Sequence, residues 1–150
     1  MAHFVEVEVD TDTGAVKVLR YLAVHDSGRI INPAICENQV AGGVIQGLGL
    51  ALTESLIFDD ETGQVVNANF VDYKIPRALD TPAVESVFVE IADPVGPFGV
   101  KGLGEATVDC APAAIAQAIA NATGLHFNHV PITPEKLYRA WAERQRSTQG

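Results

Sequence analysis

Glu105 follows a run, DPVGPFGVKGLG (residues 93–104), that holds four glycines and two prolines, and it opens an alanine-rich stretch. Two readings stand side by side. A glutamate in a helix first turn is stabilised by the macrodipole, by about 0.3–1 kcal/mol, with no further role. The same residue in an apolar, glycine-lined pocket would serve as a general base, its affinity for protons raised by desolvation. Nearby Lys101 is a solvated loop lysine or a positive contact to an anionic cofactor. Gln39 and Gln46 are seven residues apart, so they share one face of a continuous helix. Among Val, Ile, Leu and Gly a buried glutamine needs a hydrogen-bond partner, from a neighbouring helix or from a ligand.

Between and beyond these glutamines stand Gly42, Gly43, Gly47 and Gly49. Each glycine costs a helix interior about 1 kcal/mol relative to alanine. Close helix packing would account for them, and so would close approach of a ligand to the backbone. His126 and His129 make half a metal site with no further clustered ligand, so no metal ligand is expected among the side chains. His25 and Asp26 end an apolar strand and form a candidate polar pair, but no GxSxG nucleophile motif accompanies them.

The elements that must position these groups are partly legible. Residues 4–9 alternate, with Val5, Val7 and Val9 on one face, and Thr11-Asp12-Thr13-Gly14 is turn chemistry. Residues 15–24 complete a hairpin whose second strand is expected to be fully buried near Val24. Asn32-Pro33 signals a helix start, and the pattern predicts helix from Ala34 to Leu56. A hairpin turn is expected at 59–63, irregular chain or strand at 64–75, and a strand at 84–91. A long shaped loop spans 93–104, and a helix from Glu105 to Thr123 is closed by Gly124. A last helix over 131–146 is capped by Thr133 with Pro134 behind it, leaving residues 147–150 as a frayed tail. The order, β-β-α-β-β-α-α, is an α+β arrangement in one domain over 1–150, with a Gly-rich central helix, mixed strands and two C-terminal helices.

Composition limits the function classes. The chain has 150 residues, 47% of them hydrophobic and 19% charged, with mean hydropathy +0.15. A disordered chain would be poorer in apolar residues. The charged fraction is low for a small soluble domain, which points to surface covered by protein. A net charge of −9 disfavours nucleic acid and anionic membrane as partners. Cys36 and Cys110 are too few for a disulfide scaffold or a cluster site. No signal-peptide pattern opens the chain and no long apolar run spans a membrane, so a reduced, cytoplasmic setting is expected. No phosphate-loop or dinucleotide-binding glycine motif occurs.

Three segments, taken together, resemble the molybdenum hydroxylases: xanthine dehydrogenase, aldehyde oxidase and the aerobic carbon monoxide dehydrogenase large subunit. They are DSGRIINPAICENQVAGGVIQGLG (26–49), DYKIPRA (72–78) and GPFGVKGLGEA (96–106). The resemblance is to the C-terminal part of the molybdenum-binding subunit, and a full subunit in that family is several times longer. It implies a molybdenum–molybdopterin cofactor, in a dinucleotide form, that no protein side chain ligates. It implies that Glu105 is the base beside the metal when water-derived oxygen hydroxylates a carbon of an aldehyde, purine or N-heterocycle. Gln39, in its E-x-Q-x-x-G-G setting, is implied to bond the pterin. Gly42, Gly43, Gln46, Lys101, Gly102, Leu103 and Gly104 are implied cofactor neighbours. The implied partners are the upstream half of the subunit, an iron–sulfur subunit with [2Fe-2S] clusters and an FAD subunit. Without the upstream half, the chain alone is expected to bind little cofactor and turn over nothing. The alternative is a non-catalytic fragment or assembly module that keeps the fold without the cofactor.

Overall fold

The computed structural model describes residues 1–148. Strand β1 (Ala2–Val9) runs antiparallel to β2 (Val16–His25), and β3 (Ala83–Phe88) pairs with the other edge of β2 in parallel. The sheet order is β1-β2-β3. Helix α1 (Pro33–Leu52) makes the crossover to β3. After a long loop come α2 (Ala106–Asp109), α3 (Ala111–Thr123) and α4 (Pro134–Thr148). This is the α+β arrangement read from the sequence.

The hairpin forms as its alternation dictates. Val5, Val7 and Val9 pack against the core, while Glu6 and Glu8 face out. A bulge places Leu19 opposite no partner, because Glu6 pairs with Arg20 and Val7 with Val18. The extra residue lets Val18 and Tyr21 both face inward although they are three apart. Val24 is half-buried rather than fully buried, with Ala23 and His25 taking the inner face. Against this sheet pack Val40, Val44, Leu48 and Ala51 of α1, spaced along one stripe, and Ile115 and Ile119 of α3. Leu137 of α4 and Ile132 complete the core.

Several boundaries differ from expectation. Helix α1 ends at Leu52, not Leu56. The Gly49 carbonyl closes it, accepting from both Thr53 N at 2.9 Å and Glu54 N at 2.7 Å, and beyond that end Asn67 holds the irregular chain by donating to the Ser55 carbonyl at 2.7 Å and accepting from the Ile57 amide at 2.9 Å. No strand lies between α1 and β3; residues 53–82 are irregular, with a lone Phe58–Val65 bridge flanking the expected turn at 59–63. Strand β3 stops at Phe88 rather than 91, because its one neighbour, β2, ends at His25. The helix expected over 105–123 is split. Pro112 has no N–H to donate to Val108 and its ring crowds that carbonyl, so α2 and α3 meet at a bend at Cys110. Gly124, at φ 70°, closes α3. Helix α4 begins after Thr133, whose hydroxyl accepts from Lys136 N at 3.4 Å. It includes Ser147 and Thr148, and residues 149–150 of the expected tail lie outside the described residues.

His25 and Asp26 do not pair with each other. The buried His25 ring bonds His3 at 3.1 Å, and His3 bonds the Tyr21 hydroxyl at 2.8 Å. Burial, then the neighbouring His25, lowers the pKa of His3 from 6.5 to about 4. Burial likewise lowers His25 and pushes the Tyr21 phenol up. Between pH 6.5 and about 4 the unfolded chain therefore takes up a proton that folded His3 refuses, and stability falls as pH falls through that window. Thermal unfolding at pH 7 and pH 4.5 should show a larger loss of Tm for the wild type than for His3→Leu. Equal losses would mean that His3 does not govern the acid sensitivity of this sheet edge.

Candidate functional site

Helices α1 and α2 meet face to face at one point. Thr107 is fully buried, and a Cβ on Gly43 would lie 2.0 Å from its Oγ1 and 2.8 Å from its backbone carbon. Only a glycine allows that approach. Gly47 serves the same purpose a turn further along, where a Cβ would lie 2.4 Å from that of Ala111. Packing thus accounts for Gly43 and Gly47. The Thr107 hydroxyl also donates to the Gly104 carbonyl at 2.8 Å, which fixes the end of the long loop onto α2.

Beside this contact lies an open groove of about 540 Å³. Gln39, Gly42, Gly43 and Gln46 of α1 form one wall; Gly104, Glu105, Thr107, Val108 and Asp109 form the other. Six of the residues singled out in the sequence therefore converge, from segments some sixty residues apart in the chain. Gln39 and Gln46 are exposed, so neither needs an internal bond, and neither makes one among the described residues. Glu105 is exposed as well and caps α2 without a side-chain bond. The apolar enclosure expected around it is not supplied by the described residues. No basic side chain lines the groove, which carries two carboxylates, Glu105 and Asp109.

The remaining candidates sit differently. A Cβ on Gly42, Gly102 or Gly104 would meet nothing within 4 Å, so no packing in this chain calls for glycine there. The backbone N–H groups of Gly102, Leu103, Gly104 and Glu105 donate to no group among the described residues. Leu103 turns inward against the core. Lys101 does not reach the groove: its ammonium donates to Asp26 Oδ2 at 2.6 Å. That bond, with the Gly28 amide on the other oxygen, holds the Asp26 carboxyl below the usual range. His126 and His129 are both exposed, and no cluster of three metal-ligating side chains exists among the described residues. Sequence reasoning missed Thr107, and it set Asp26 beside His25 where the structure pairs it with Lys101. The signal for Thr107 was Gly43 itself, since a buried helix glycine must have something pressed into it.

A larger cavity of about 740 Å³ lies away from this groove, between the start of β2, the end of α1 and residues 70–81, and includes Val16, Leu52, Phe70 and Leu79. It contains none of the candidate residues.

The sequence profile of the molybdopterin cofactor-binding domain matches residues 1–82. The chain belongs to that family. It is 46% identical over 135 residues to the putative xanthine dehydrogenase molybdenum-binding subunit of Escherichia coli K12, which covers 90% of this chain and 18% of that protein. It is 44% identical over 136 residues to the aldehyde oxidoreductase molybdenum-binding subunit of the same organism, covering 90% of this chain and 19% of that one. Among solved structures, quinoline 2-oxidoreductase from Pseudomonas putida 86 superposes with a TM-score of 0.85 at 40% identity, over 91% of this chain and 18% of that one. The chain thus spans less than a fifth of the length of these relatives. Molybdopterin is the cofactor of the family, and members of it are subunits of larger enzymes.

The groove fits such a group. Unfilled glycine positions admit a ligand to the backbone, and the unpaired side-chain amides of Gln39 and Gln46 and backbone amides of Gly104 and Glu105 can bond a polar, oxygen-rich cofactor. The two kinds of glycine separate by experiment. Gly43→Ala should destabilise the chain by about 1–3 kcal/mol through overpacking against Thr107. Gly42→Ala should leave stability unchanged or raise it by up to about 1 kcal/mol. Urea unfolding midpoints of the two variants check this, and equal effects would contradict the packing assignment.

Proposed function

We propose that this chain forms one wall of the molybdenum–pterin site of a molybdenum hydroxylase. The reaction is hydroxylation of a carbon of an aldehyde, purine or N-heterocycle with oxygen from water. The observation that carries this reading is the convergence of Gln39, Gly42, Gln46, Gly104 and Glu105 on one groove, in a chain of the molybdopterin-binding family. The cofactor, when bound, supplies the two-electron redox chemistry. The chain supplies position and a base. The Gln39 and Gln46 amides bond polar edges of the pterin, and the open backbone at Gly42, Gly102 and Gly104 admits it closely. Glu105 takes up a proton at its carboxylate during attack on substrate. The cofactor is proposed in its dinucleotide form.

The exposed position of Glu105 supports a need for completion. So does the apolar surface: Phe70, Leu79, Val95 and Phe98 are 87%, 92%, 91% and 84% exposed. Apolar exposure on this scale marks an interaction surface. We therefore propose as partners the upstream half of the molybdenum-binding subunit, an iron–sulfur subunit with [2Fe-2S] clusters and an FAD subunit, all cytoplasmic. In this reading the chain alone turns over nothing.

Glu105→Gln keeps shape and removes the base. In the assembled enzyme it should lower kcat by about 10²–10⁴-fold while molybdenum content stays at the wild-type level. Unchanged turnover would remove Glu105 from the mechanism. Loss of metal in step with activity would make it a structural contact instead.

A further inference from the structure

The turn that carries Glu105 is held by hydrogen bonds at its two ends, with Leu103 packed against the core between them. At the far end is Thr107, buried against Gly43 and bonded to Gly104. At the near end is Lys101. Its amide donates to the Ser27 carbonyl at 2.9 Å and its ammonium to Asp26 at 2.6 Å. Neighbouring bonds make the same seam: Arg29 N donates to Gly99 O at 2.9 Å, and Gly28 bridges Val100. Gly28 sits at φ 65°, where a Cβ would be 2.3 Å from Gly99 O, so the seam is closed as tightly as backbone permits. Both side chains of the ion pair are about one-third exposed, at 32% and 30%. Asp26 is further fixed through Oδ1, which accepts from Gly28 N at 3.1 Å. Between the two anchors the amides of residues 102–105 have no partner among the described residues.

We infer that Asp26 and Lys101 are a positioning pair: Lys101 acts through Asp26 to aim the Gly102–Glu105 turn into the groove, and it is not itself a cofactor contact. The inference rests on the reading of the groove as the cofactor site, and it replaces the cofactor contact expected of Lys101. The pair is specific in its chemistry. A half-sheltered ammonium offers its donors to one carboxylate that a backbone amide already orients, so loss of either charge frees the other. Asp93 also lies within electrostatic reach of Lys101, and its Oδ1 accepts from the amides of Val95 and Gly96 at 2.7 and 2.9 Å.

The test uses backbone order parameters from ¹⁵N relaxation on the full chain, read at Gly102 and Gly104. The wild type should be near the rigid value of about 0.85, and Asp26→Asn and Lys101→Met should each drop below about 0.6. The double variant should drop no further than either single one, since both remove one interaction. Lys101→Arg should keep the order that Lys101→Met loses, whereas a loss that was merely structural would not follow the charge. Wild-type order at these glycines in Asp26→Asn would overturn the inference.

Molybdenum content of the assembled enzyme supplies the second arm. A positioning role predicts equal losses for Asp26→Asn and Lys101→Met. Loss in Lys101→Met alone would make Lys101 a direct contact and overturn the inference. If even the wild type carries no molybdenum, the reading of the groove fails, and the order parameters still decide the positioning role.

Discussion

The contact between Thr107 and Gly43 sets the geometry on which the rest of the site depends. A four-residue helix has little stability of its own, and α2 is held because its one fully buried side chain, Thr107, fills the space that Gly43 leaves empty. Interiors are close-packed, so the separation of the two helices is fixed to within a methyl group. The groove lies beside that contact, lined by both helices. Gln39 and Gln46 project from α1 one turn before and one turn after the contact, and Glu105 precedes Thr107 by two residues. The Thr107 hydroxyl then carries the constraint back to Gly104. One small residue therefore couples helix packing, loop shape and the location of the carboxylate.

The glycines divide by function once their surroundings are known. Gly43 and Gly47 are needed where two helices touch; Gly42, Gly102 and Gly104 face open space. A glycine that nothing in the chain requires, next to unpaired amides, is a feature of a surface meant to be covered. On the proposed reading, the low charged fraction and the apolar side chains exposed along 53–98 have the same cause. The chain matches under a fifth of the length of these relatives.

Local signals were read well from sequence. The alternation of Val5, Val7 and Val9, the Asn32-Pro33 and Thr133-Pro134 starts and the Gly124 stop each act through neighbours a few residues away. The misjudged boundaries were decided by distant groups. Beyond the end of α1, Asn67 holds the chain in an irregular course from twelve residues past Ser55. β3 stops because β2 stops. The break at Pro112 was visible in principle, since a proline inside a helical pattern removes a donor whatever surrounds it. The site shows the same division. Gln39, Gln46 and Glu105 could be found by spacing and motif, but the partner of Lys101 lies 75 residues away and no periodicity points to it.

The central claim is that this groove is one wall of a molybdenum–pterin site completed by other protein. Purifying the tagged chain from its native source, with molybdenum quantified in the eluate, tests it most directly. Partner subunits should arrive with the chain, and the metal should approach one per chain. A clean chain with no metal would contradict the claim and leave a fragment or assembly module that keeps the family's fold without its chemistry.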